Sequence, residues 1–161
     1  MLSFNRYASR SNNNVEVITA IGNTDNETYK LNTNVRGEKE LTIYADGKKT
    51  HIYTYTYDQK GEISNLSLTI GEGAHVENVR DNDALTSLTV AKGARVRNIS
   101  HNKHLTSLTI GEGAHVENVR DNDALTSLTI GEGASVKRIY DNKVRIPIFE
   151  RIKYLMRYIL S

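Results

Sequence analysis

Residues 67–89 and 107–129 are the same 23 residues, letter for letter, and the stretch between them is a variant of the same 20-residue unit. A fixed short period means that each unit stacks on its neighbour and that the core is built by repetition. Aligned on this period, the units begin at Leu68, Leu88, Leu108 and Leu128. Two residues on stand Ile70, Val90, Ile110 and Ile130. A small pair follows: Gly73, Gly93, Gly113 and Gly133, each trailed by an alanine. Next come Val76, Val96, Val116 and Val136, then Val79, Ile99, Val119 and Ile139. An asparagine column, Asn82, Asn102, Asn122 and Asn142, precedes a last leucine column, Leu85, Leu105 and Leu125.

Twenty residues are too few for a helix and a return strand of any length. The apolar columns are β-branched or Leu, and Thr is common, which favours extended backbone. Ser-Leu-Thr-Ile alternates strictly, so Leu and Ile point one way and Ser and Thr the other. Gly and Ala at the corner fit a tight bend that admits no bulk. Each unit reads as one coil of a solenoid, with coils about 4.8 Å apart and paired through backbone hydrogen bonds. The asparagine column reads as a structural ladder, each Asn bonding turn backbone and the Asn of the next coil.

The exact copy recurs at 40 residues rather than 20, and charge explains why. Outward residues of the first coil, Glu72, Glu77 and Asp83, give way in the second to Lys92, Arg97 and Lys103. The third returns to Glu112, Glu117 and Asp123, and the fourth has Glu132, Lys137 and Lys143. Stacking therefore opposes unlike charges in all three columns, with Glu132 the one mismatch. Such pairs specify register, because a slip of one coil would oppose like charges. The chain carries 21 basic and 19 acidic side chains, for a net charge of +2. Interleaving leaves no continuous cationic track in the repeats, so nucleic acid is not an expected partner.

The length of 161 residues fits one domain. Residues 1–14 contain no acid and read as a flexible tail. Residues 15–65 are β-rich without the period and read as an N-terminal β cap, including a strand at Val15–Ala20. In the same segment Leu41–Tyr44 and Thr50–Tyr57 form a hairpin turned at Asp46-Gly47. Residues 66–143 are the four-coil solenoid. Residues 144–161 follow Pro147, the only proline, with Ile148, Phe149, Ile152, Leu155, Met156, Ile159 and Leu160 at helical spacing. They read as an amphipathic helix covering the last coil, and they are also the one candidate for membrane contact.

Cysteine is absent, so disulfides, thiolate metal sites and a cysteine nucleophile are excluded. His75 and His115 share a column but stand two coils apart, too far to ligate one metal. His101 and His104 share a turn with no acid of their own beyond Asp81 and Asp121 in the flanking coils. Asp81-Asn82-Asp83 and Asp121-Asn122-Asp123 lack the glycines of a calcium roll, and Lys103 lies between them. No catalytic, metal or cofactor site is expected. The candidate binding residues are the outward hydroxyls Ser87, Thr89, Ser107, Thr109, Ser127 and Thr129, with Ser67 and Thr69 continuing their rows. A second candidate is Tyr53, Tyr55 and Tyr57, which fall on one face of a strand and are the right kind of side chain for a sugar or partner platform.

Several families share parts of this pattern. The Ser and Thr rows resemble the Thr-x-Thr face of solenoid ice-binding proteins. Ile70-Gly71-Glu72-Gly73-Ala74-His75-Val76 resembles the hexapeptide repeat of left-handed β-helix acyltransferases, which implies a trimer with a catalytic histidine at the subunit seam. Leu-x-Ile-Gly-Glu-Gly-Ala-x-Val resembles bactofilins, which implies a polymerising cytoskeletal protein. Leu105-x-x-Leu108-x-Ile110 resembles the opening of a leucine-rich repeat of the length found in bacterial effectors, and Leu-Thr-Ser-Leu-Thr-Ile is similar to phrases in bacterial surface repeats. Residues 1–14 resemble in composition the amino-terminal signals of type III secreted effectors.

The expected fold is mainly β: a parallel β-helix of open handedness, with a leucine-rich-repeat arc as the alternative. Gly113 in place of the defining asparagine favours the β-helix. The expected function is a non-enzymatic protein-binding or scaffold module, cytoplasmic or secreted into a host cell without a cleaved signal peptide. Self-association stays open.

Overall fold

The computed structural model describes residues 3–4 and 27–143. Val15–Ala20 and the segment 144–161, read above as a strand and a helix, lie outside the described residues. Described residues contain strands and turns and no helix. After a two-residue strand, β1 (Ser3–Phe4), come β2 (Glu27–Thr33), β3 (Lys39–Ala45) and β4 (Lys48–Tyr57). The repeats then supply two strands per coil. One set is β5 (Ile63–Ile70), β7 (Leu85–Val90), β9 (Ser107–Ile110) and β11 (Ser127–Ile130). The other is β6 (His75–Arg80), β8 (Arg95–Ser100), β10 (His115–Arg120) and β12 (Ser135–Tyr140).

Both sets stack in parallel with a step of one repeat, so Leu68, Leu88, Leu108 and Leu128 are direct cross-strand neighbours. Val76, Val96, Val116 and Val136 do the same on the other side. The result is a β-solenoid of about four turns built from two parallel sheets. Two strands per coil is what a β-helix requires. The apolar columns fill the space between the sheets: Leu85, Leu88, Val90, Leu105, Leu108, Ile110 and Leu125 have no exposed surface.

Two corners join the sheets. At the first, Ala74 N donates to Gly71 O at 3.1 Å across Glu72 and Gly73. Gly73 has φ 65°, and its column mates in the other coils lie between 62° and 68°. A positive φ at the third residue of a four-residue turn is the type II pattern, which glycine adopts without steric cost. The second corner uses a different device. Asp81, His101, Asp121 and Asp141 take left-handed φ values of 53–57°. Asp and Asn tolerate this region better than most residues, because their short polar side chains bond locally.

The asparagine that follows closes that corner. Asn102 Oδ1 accepts from the backbone N and the Nδ2 of Asn82, both at 3.1 Å. Asn102 Nδ2 donates to Val79 O at 3.0 Å and to Asn122 Oδ1 at 3.1 Å. Asn122 repeats the pattern towards Ile99 O and Asn142. A second asparagine file runs along the outside, with Asn98 Nδ2 donating to Asn78 Oδ1 and Asn118 Nδ2 to Asn98 Oδ1, each at 2.9 Å.

Strands β2–β4 are an antiparallel meander that joins the β5 edge, so one sheet has seven strands in the order β11-β9-β7-β5-β4-β3-β2. The turn between β3 and β4 is Asp46-Gly47, with φ 50° and 72°. Two consecutive positive φ values match the type I′ hairpin that a two-residue Asp-Gly loop prefers.

Candidate functional site

The two sheets present chemically different outer faces, and the repeat is the reason. In β5, β7, β9 and β11 the outward positions are Ser and Thr, and these strands hold no charged residue. Thr69, Thr89, Thr109 and Thr129 are cross-strand partners in one row, and Ser67, Ser87, Ser107 and Ser127 in the next. All are half-buried except Ser127 and Thr129, which are exposed. Across four coils the rows run about 14 Å, and they lie about 7 Å apart. Thr54 of β4 pairs with Ser67 and extends the serine row by one strand.

These hydroxyls differ from those of a third row beside them. Thr86 Oγ1 donates to Leu66 O at 3.1 Å, Thr106 Oγ1 to Thr86 O at 3.1 Å and Thr126 Oγ1 to Thr106 O at 3.4 Å. That row spends its hydroxyls on the neighbouring coil. No hydroxyl of the Ser87 and Thr89 rows is engaged by another described residue. The face is thus flat, uncharged and furnished with donors and acceptors available to a partner.

The tyrosine platform requires correction. Tyr53 and Tyr55 are each 3% exposed, while Tyr57 is 43% exposed. Alternation put the three on one face of β4, but that face is the inner one: Tyr53 pairs with Leu68 of β5 and Leu41 of β3, both core residues. Burial pushes both buried phenols up, Tyr55 to about 12, so they are neutral core groups. Tyr57 stands edge-on to Tyr55 with ring centroids 5.7 Å apart. The row packs the core, and one ring is left for solvent.

The outer face of β6, β8, β10 and β12 is charged. Arg97 reaches Glu77 at 3.2 Å and Glu117 at 3.8 Å, bridging three coils. Lys92 pairs with Glu112 at 2.9 Å and Lys103 with Asp83 at 3.3 Å. These are the alternating columns expected from the 40-residue copy. Each pair is solvent-exposed, so screening leaves it little weight in stability. His101 faces one of the two flanking-coil acids named from the sequence: Asp121 lies 3.6 Å away. His104 Nδ1 contacts Asp83 O. Among the described residues, no three His, Asp or Glu side chains converge on one point.

A shallow groove of about 400 Å³ lies on this charged face, lined by His75, Glu77, Arg95, Arg97, His115 and Glu117. In the aligned column Arg95 separates the two histidines, which the sequence offers as metal ligands two coils apart or, by the acyltransferase resemblance, as a catalytic histidine. The signal was present in the alignment, as a column reading His75, Arg95, His115, Ser135.

No protein-family model, curated protein or solved structure matches the chain.

Proposed function

We propose that this chain is a non-catalytic binding module whose contact surface is the hydroxyl face of the seven-stranded sheet. One observation carries the reading: two rows of Ser and Thr stand in cross-strand register with their hydroxyls unspent, on four repeat strands that hold no charged residue. A β-solenoid presents such a surface rigidly, so a partner binds without the cost of ordering loops. The partner that fits is another protein, which can meet a flat polar face with its own backbone and side-chain donors and acceptors. Delivery as a bacterial effector, read from residues 1–14, belongs to this proposal as its finer version.

The test is site-specific photo-crosslinking in the source cells, with the photoreactive residue at Thr109 or, as control, at Glu132 in an exposed turn. A discrete crosslinked protein from position 109 and none from position 132 supports the reading. Crosslinks from both positions, or from neither, contradict it.

The same rows favour a second reading. Regularly spaced hydroxyls on a flat face also suit ordered water, so an ice-binding solenoid is the alternative. It predicts thermal hysteresis that Thr109→Tyr abolishes. The filament reading is disfavoured by β4, which occupies the β5 edge that a second copy would need. An acyltransferase would need a trimer with His75 or His115 at its seam.

A further inference from the structure

The column His75–Arg95–His115 sits on the face opposite the hydroxyl rows and is independent of them. Arg95 is the cross-strand neighbour of His75 on one side and of His115 on the other. Parallel pairing therefore sets the backbones of the two histidines about 4.8 Å to either side of that of Arg95. Both Arg95 and His75 are exposed, and His115 is half-buried. Among the described residues, no carboxylate is within ion-pair distance of Arg95.

The neighbouring file makes this unusual. Glu77, Arg97 and Glu117 alternate there and satisfy each other, with Arg97 held by both carboxylates. Lys137 follows in the same file, so its formal charges cancel. The two files share one groove of about 400 Å³, and only the Arg95 file has charge left over. His115 Nδ1 faces the Ser135 hydroxyl, which leaves its Nε2 for another partner.

We infer that this groove binds a phosphate-type oxyanion, held by the Arg95 guanidinium and flanked by imidazole N–H groups of His75 and His115. Guanidinium and oxyanion match as a bidentate pair. Neutral imidazole can already donate one N–H, and protonated imidazole adds a positive charge. The other charged groups facing the groove are Glu77, Arg97 and Glu117. The groove is open, so it admits either free phosphate or a phosphate carried on a peptide.

The test is a titration of the full chain with inorganic phosphate at constant ionic strength, following the imidazole proton signals of His75 and His115 by NMR. The expected result is saturable binding that moves both histidines. Arg95→Gln weakens it about tenfold, whereas Arg36→Gln, with the same charge loss in a distant exposed turn, leaves it unchanged. A phosphoserine peptide separates the sources. Tighter binding than inorganic phosphate identifies a chain-borne group, and weaker binding identifies the free ion. Unsaturable shifts, unmoved histidines, or equal weakening by both arginine variants would overturn the proposal.

Discussion

Asn102 is fully buried, and both polar atoms of its side chain are used twice. Burial of an amide is tolerable only under that condition, because each orphaned partner costs about 1–3 kcal/mol. Asn102→Ala strands the Asn82 backbone N–H and the Val79 carbonyl together. We expect a loss of about 2–4 kcal/mol by urea denaturation, against less than about 0.5 kcal/mol for the exposed neighbour Lys103→Ala. Equal effects would show that the amide is dispensable. His51 is the second buried polar group of note, with no exposed surface. Thr50 Oγ1 donates to Ile43 O, and so accepts from an Nδ1–H of His51 at 2.9 Å. Burial lowers the His51 pKa from 6.5 to about 3. Above pH 6.5 neither folded nor unfolded chain holds this proton. Between about 6.5 and 3 only the unfolded chain does, so stability falls with falling pH by about 1.4 kcal/mol per unit. Below about 3 both hold it and the loss stops. His51→Leu should flatten that limb of the stability profile, and an unchanged slope would assign acid sensitivity to other groups.

At the scale of elements, the strand-to-strand geometry decides which small residues are obligatory. A Cβ on Gly71 would sit 2.0 Å from the Lys49 carbonyl oxygen of β4. The same column holds Ala91 in the second coil, where no antiparallel strand crosses. Gly71→Ala should therefore cost about 2 kcal/mol or more, and Gly131→Ala, whose nearest contact is 2.8 Å, distinctly less. Melting temperatures of the two variants check this, and equal shifts would mean that β4 moves aside freely. The coils themselves were legible in the sequence, because Leu68, Val76 and their column mates recur at a fixed step. So was the β3–β4 hairpin, because Asp46-Gly47 demands positive φ. What the sequence withheld has physical reasons. Alternation groups Tyr53 with Tyr55 but does not say which face is inner. Asn78, Asn98 and Asn118 read as ordinary surface until parallel pairing aligns them. The left-handed column at Asp81 hides because its second member is His101. Arg95 stands between the histidines in the aligned column, but as a site it needs the pairing that brings three different repeats together.

For the whole molecule, the 40-residue copy divides the labour between two faces. Charges gather on β6, β8, β10 and β12 and on the turns, where alternation sets the register of the coils. That leaves β5, β7, β9 and β11 free of charge and able to carry hydroxyl rows. On the proposed reading the chain works as a discrete particle, and the pairing of β4 with the β5 edge supports that. The most direct measurement is the solution mass by size-exclusion chromatography with light scattering over a hundredfold range of concentration. The account predicts a constant mass of 18.1 kDa. Mass that grows with concentration into open-ended polymers would contradict it, and would make assembly itself the function.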